Sequence, residues 1–165
     1  MIARIMSLFL LVSTSLSAQI IQIDEKKGFK DFKIGNDKSK YTDIRRVGNK
    51  LKSPLDLKFY EYIHPEKYPV FSYNNSRIIL GFDNLNKLSS IQIDIKNIED
   101  IKDLINNFSI LFGNDYVKQE YSDNVTVYAW FGKKIILSIK YPVSEFTQIM
   151  IVPFKTINKN IESGF

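Results

Sequence analysis

The chain has 165 residues, one histidine, no cysteine and a formal charge of +5. The length suits one domain behind a leader, and the missing thiols exclude cysteine catalysis, thiolate metal sites, disulfides and the lipid-bearing cysteine of a bacterial lipoprotein. The lysines are scattered and not gathered into the basic runs that nucleic-acid patches need, so no nucleic-acid partner is expected.

Met1 to Ala18 has the grammar of a secretory signal peptide. Arg4 supplies the positive start, Ile5 to Val12 an apolar core, and Ser13 to Ala18 a run of mostly small residues. The apolar core is far shorter than the ~20 residues of a membrane-spanning helix. Cleavage is expected after Ala18, with a cut after Ser17 as a second option, leaving one domain over 19–154 and a polar tail over 155–165. The mature protein is then expected to be soluble, in the periplasm or outside the cell, with no transmembrane segment.

The elements follow in order. Phe29, Phe32 and Ile34 suggest a brief strand or packed arm, ended by the turn residues Gly35-Asn36-Asp37. Tyr41, Ile44 and Val47 recur every third residue, so Lys38 to Val47 reads as a helix. Leu57 to Ile63 is a strand broken at His64-Pro65. Val70 to Tyr73 and Arg77 to Phe82 read as strands around Asn74-Asn75-Ser76. From Lys87 to Lys96 the alternation is clean: Ile91, Ile93 and Ile95 face one way, Gln92, Asp94 and Lys96 the other, as in a strand with one wet face.

Ile98 to Phe112 reads as a helix, with Ile98, Ile101, Ile105, Phe108 and Phe112 along one stripe. Asn97 suits its N-cap and Gly113 its left-handed C-terminus. A meander follows: Tyr116 to Tyr121, Val125 to Phe131, Ile135 to Tyr141 and Phe146 to Val152 are the strands, stopped by Pro153. RIILGFDNLNKLSSIQI before the helix is echoed by VTVYAWFGKKIILSI after it. The expected fold is therefore α+β: antiparallel meanders with two helices packed on one face, in two similar helix-plus-strands halves.

GFKDFKIG, NKLSSIQIDI, LINNFSILFGND and VYAWFGKKIIL resemble segments of small exported proteins of Bacteroidetes-type bacteria, as does the Ala18-Gln19 junction. That resemblance implies export and brings no assigned activity. In plan the chain is also similar to the small lipoproteins of the outer-membrane assembly machine, through the turn-then-helix entry at Ile34 to Lys40. It resembles the β-lactamase inhibitory proteins as well, through tandem helix-plus-sheet units. The first group's lipid-anchored cysteine is missing here, and no residue motif of the second is matched, so neither anchoring nor inhibition carries over.

His64 is the only histidine. Glu61, His64 and Glu66 are spaced so that a strand sends Glu61 and His64 to opposite faces, and Pro65 prevents a helix that would reunite them. No metal site and no cofactor are expected, and no nucleotide or hydrolase motif occurs. Outer-membrane barrel strands run ~9–11 residues, longer than most strands here. Carboxylates such as Glu61, Asp94 and Glu120 leave a two-carboxylate hydrolase as one alternative, and a self-associating structural protein as another. The preferred reading is a non-enzymatic binding or accessory protein of the cell envelope, whose partner is another envelope protein. If the smaller residues of Val125 to Phe131 face the helices, then Tyr128 and Trp130, with Tyr60 and Tyr62, lie on the opposite side as a contact surface.

Overall fold

The computed structural model describes residues 24–48, 56–96, 98–121, 124–143 and 145–154. The expected leader at 1–18, the residue at 97 expected as N-cap and the expected tail at 155–165 lie outside them. The fold is mostly β. A small arm, β1 (Gly28–Phe29) and β2 (Phe32–Lys33), precedes one eight-stranded antiparallel sheet. The sheet strands are β3 (Ile44–Arg46), β4 (Lys58–Tyr62), β5 (Asn75–Phe82), β6 (Leu88–Lys96), β7 (Val117–Glu120), β8 (Thr126–Phe131), β9 (Ile135–Val143) and β10 (Phe146–Pro153), and the helix α1 (Lys102–Phe112) joins β6 to β7. Their spatial order is β3-β4-β5-β6-β10-β9-β8-β7. Two four-stranded meanders thus meet through their last strands, with Ile93 opposite Ile149 and Ile91 opposite Ile151 at the seam.

The expected two-helix α+β packing is overturned. Lys38 to Val47 forms a 3₁₀ turn at Lys38–Lys40, capped by Asp37 accepting from the Ser39 amide, and then the edge strand β3. Three apolar side chains over ten residues bury too little to hold a helix in place. The free edge of β4 offers backbone partners instead, and Arg45 pairs there with Glu61. Among the described residues only α1 reaches seven residues, the other α-helical segment being the turn at 24–26, so the expected packing of two helices on one face is replaced by a mostly β fold. Val70 to Tyr73 is likewise a tight turn closed by reciprocal backbone bonds, not a strand.

Helix α1 begins later than its apolar stripe suggests. Asp100 accepts from the Lys102 amide at 2.8 Å, an Asx cap that starts the helix at Lys102 and leaves Ile98 and Ile101 as packed residues ahead of it. Gly113 ends it with φ +87, its N–H donating to the Ser109 carbonyl at 2.7 Å. Leu104, Ile105, Phe108 and Phe112 are buried against the sheet. Among the described residues no helix is long and apolar enough to cross a membrane.

One sheet face carries the core. Ile78 and Leu80 of β5, Ile91, Ile93 and Ile95 of β6, Ile149 and Ile151 of β10, and Leu137 and Ile139 of β9 all point towards α1 and the arm. Asp24 is pinned to the second meander. The Asp24 carboxylate accepts from the amides of Lys133, Lys134 and Ile135 at 2.8–3.2 Å, filling the turn between β8 and β9. Gly132 sits under that carboxylate, and an added Cβ would lie 2.5 Å from an Asp24 oxygen.

Candidate functional site

An 11-residue helix is about 16 Å long, whereas eight strands at their usual spacing span roughly 34 Å. Among the described residues α1 alone cannot roof such a sheet. Helix α1 covers the β8–β9 side, where Phe108 packs on Trp130. On the other side Phe32 of the arm packs edge-on against Tyr62 and Tyr68, with ring centroids 5.1 Å away in each case. Between these two covers lies a cavity of about 390 Å³. Its floor is the central strands, through Ile93, Leu137, Ile149 and Ile151, and Phe108, Leu111 and Phe112 of α1 form one wall.

The opposite lip is built from Lys26 of the helical turn at 24–26, from Gly28, Phe29 and Lys30 of the arm and from the Pro69–Phe71 turn. Gly28 is required there. It has φ +156, and a Cβ would collide with the Phe32 carbonyl oxygen across the hairpin. Lys30 and Phe71 hold positive φ values of 48° and 53°, so the lip is shaped by backbone that most residues avoid. Asn75 ties the turn to β5 by donating to the Tyr68 carbonyl. Phe71 is exposed at the mouth, its ring edge-on to Phe108 at 5.2 Å.

Among the described residues the charged groups lining this cavity are ammonium groups. Lys26 Nζ lies 5.4 Å from the centroid of the Phe112 ring, and Lys30 Nζ lies 5.6 Å from that of Phe29. Among the described residues neither lysine has a carboxylate within ion-pair distance. Two acidic neighbours are engaged elsewhere: Asp24 on the β8–β9 turn, and Asp31 accepting from the Tyr68 phenol at 2.8 Å. That last bond favours the neutral phenol and, with burial, raises Tyr68 above the ordinary phenol range.

Comparisons of the chain with protein-family models, with curated proteins and with solved structures give no match. Any function must therefore be argued from these residues themselves.

The four aromatic residues expected to form an outward contact surface do share one sheet face, but it is the covered face. Trp130 is 1 % exposed and donates its indole N–H to the Gly113 carbonyl at 2.8 Å. Tyr128 is half-buried beside Tyr116. Tyr62 is buried, and Tyr60 is half-buried with its ring edge-on to Phe82. Strands β5, β6, β10 and β9 separate Tyr60 and Tyr62 from Tyr128 and Trp130, so the fold does not bring the two pairs together. The outward residues of β8 are instead Val127, Ala129 and Phe131.

Glu61, His64 and Glu66 are also divided. Glu61 pairs with Arg45 at 3.0 Å, while His64 Nδ1 lies 3.5 Å from Glu66. Among the described residues no group of three or more metal-ligating side chains occurs.

Tyr60 has a second, shallower setting beside the 3₁₀ turn. Lys38 donates to its phenol oxygen at 2.9 Å, with Nζ 4.1 Å from the ring centroid. The Lys38 hydrogen bond lowers the Tyr60 pKa against the opposing effect of burial. Nearby, Asp37 is lowered to about 2, first by the Ser39 amide and hydroxyl and then by Lys87. Replacing Lys38 by Met should move Tyr60 ionisation back to higher pH in a spectrophotometric phenol titration. An unchanged titration curve would mean that the ammonium does not face the phenol. Because the shift favours phenolate, any stability it lends is present at alkaline pH and is lost as pH falls through the folded-state pKa.

Proposed function

We propose that this chain is an exported, non-enzymatic binding protein of the cell envelope, and that its ligand is a small apolar molecule seated between α1 and the β1–β2 arm. The observation that carries this reading is the cavity of about 390 Å³, floored by isoleucine and leucine and walled by phenylalanine. Sites for small ligands are concave, mostly apolar and ~300–1,000 Å³ in volume. Export rests on the leader grammar of Met1 to Ala18.

The carboxylate pairs that a hydrolase needs find less support. Glu61, Asp94 and Glu120 each have a cationic partner, Arg45, Arg77 and Lys118, and none of the three lines the cavity.

The test uses protein beginning at Gln19 and the neutral, polarity-sensitive dye Nile red. Saturable one-to-one binding is expected. Leu111→Trp, which fills the cavity from α1, should weaken it by about tenfold or more while the circular-dichroism melt stays close to that of the parent. Binding that does not saturate, or that the filled variant retains at full strength, would overturn the proposal.

A further inference from the structure

The cavity has one chemical asymmetry that an apolar pocket alone does not require. Its floor and walls are hydrocarbon, while among the described residues both charged residues at its rim are cationic and lie on the same lip, Lys26 just before the arm and Lys30 at its turn. Each ammonium rests near an aromatic ring and has no carboxylate partner among the described residues. We infer that the ligand is a single-chain amphiphile with an anionic head, its hydrocarbon chain over Ile93, Ile149 and Ile151 and its head at Lys26 and Lys30. The inference rests on the binding reading proposed above and adds the ligand's class to it.

Size and charge both point this way. A cavity near the lower end of the ligand-site range has room for one acyl chain, not for the paired chains of a membrane phospholipid. A lysine ammonium is a compact point charge with three donors, suited to a carboxylate or phosphate oxygen. Both lysines are exposed, so an anionic head reaches them without leaving water. The cation-bearing lip also excludes a cationic amphiphile, which would meet two like charges at the mouth.

Chain length and head charge then make separable contributions. Each buried methylene should tighten binding by about fourfold, until the chain outgrows the cavity and the gain stops. The head contribution should fall with added salt, because both lysines lie at the surface.

The experiment displaces Nile red from the protein beginning at Gln19, using saturated fatty acids of increasing length and the matching neutral alcohols. The acids should bind about tenfold more tightly than alcohols of equal length. In the Lys26→Met/Lys30→Met double variant, which keeps most of each hydrocarbon stem, that preference should vanish while alcohol affinity holds. Mono-alkyl phosphates of equal length form a second arm. A preference for phosphate over carboxylate would identify the anion as a phosphate head within the same inference. Equal binding of acids and alcohols by the parent would overturn the anionic head and leave the apolar site standing. Failure of every chain, together with failure of the dye itself, would overturn the site as well.

Discussion

Replacing Trp130 by alanine is expected to remove about 3–5 kcal/mol of folding stability. The indole is 1 % exposed, lies 5.8 Å from the Phe108 ring and 5.1 Å from that of Tyr116, and hydrogen-bonds the carbonyl of Gly113, the residue that ends α1. Truncation would therefore leave a void between β8 and the helix and deprive a helix-terminal carbonyl of its donor. Trp130→Phe fills most of that void but cannot donate, so it should cost about 1–2 kcal/mol through the lost bond and the imperfect shape. A urea titration followed by circular dichroism measures both, with the midpoint falling and the slope unchanged. Trp130 is the only tryptophan, so parent emission should be that of a buried indole. A loss under about 1 kcal/mol in Trp130→Ala, with solvent-exposed emission from the parent, would contradict this packing.

The same residue shows where the sequence was legible and where it was not. Alternation located β8 and named its two sides, Val125, Val127, Ala129 and Phe131 against Thr126, Tyr128 and Trp130. It did not decide which side was inward, because both are apolar enough to be buried. The deciding signal lay one strand further on. In β9 the inward set is unambiguous, since Ile135, Leu137 and Ile139 alternate with Ile136, Ser138 and Lys140. The short turn at Gly132 fixes the hairpin register, which places Trp130 opposite Leu137 and Tyr128 opposite Ile139. Residues directly opposite share a face, so hairpin register carried the orientation that strand pattern alone left unresolved.

Elements with local cause were readable. Strands β4, β5, β6, β8, β9 and β10 fall on the runs that predicted them, and Gly113 ends α1 as its φ requires. The helix expected at Lys38 to Val47 failed because its spacing competed with a non-local partner. The open edge of β4 recruits Ile44–Arg46 as a strand, and only the tertiary fold provides that edge. The candidate cavity was illegible for the same reason. Its lining comes from Lys26, the arm, the Pro69–Phe71 turn, three central strands and α1, which only the tertiary fold brings together. Lys26 and Lys30 carried no signal among scattered lysines until the arm set them on one lip.

Asp94 presents the second large expected effect. The alternation of β6 placed it on the solvent face, and it is there, yet it is 1 % exposed, because its neighbours on the sheet surround it. Arg77, directly opposite on β5, donates to it at 2.6 and 2.8 Å, Gln92 at 3.0 Å, and Gln148 of β10 at 3.4 Å. The carboxylate thus links β5, β6 and β10 at the seam of the two meanders. Arg77→Met would leave it buried with amide donors alone. Breaking a buried pair by removing one partner costs about 3–5 kcal/mol. The Arg77 side chain is 42 % exposed, so solvent screening lowers the expectation to about 2–3 kcal/mol. Arg77→Met combined with Asp94→Leu removes the stranded charge and should recover most of that loss, because an apolar pair of similar volume packs where the ion pair stood. Urea midpoints for the parent, the single variant and the double variant measure this directly. A double variant no more stable than Arg77→Met would show that the loss came from the arginine's hydrocarbon packing. In that event the seam would be held by the isoleucine pairs on its other face, Ile93 with Ile149 and Ile91 with Ile151, and the buried charge would contribute little to joining the meanders.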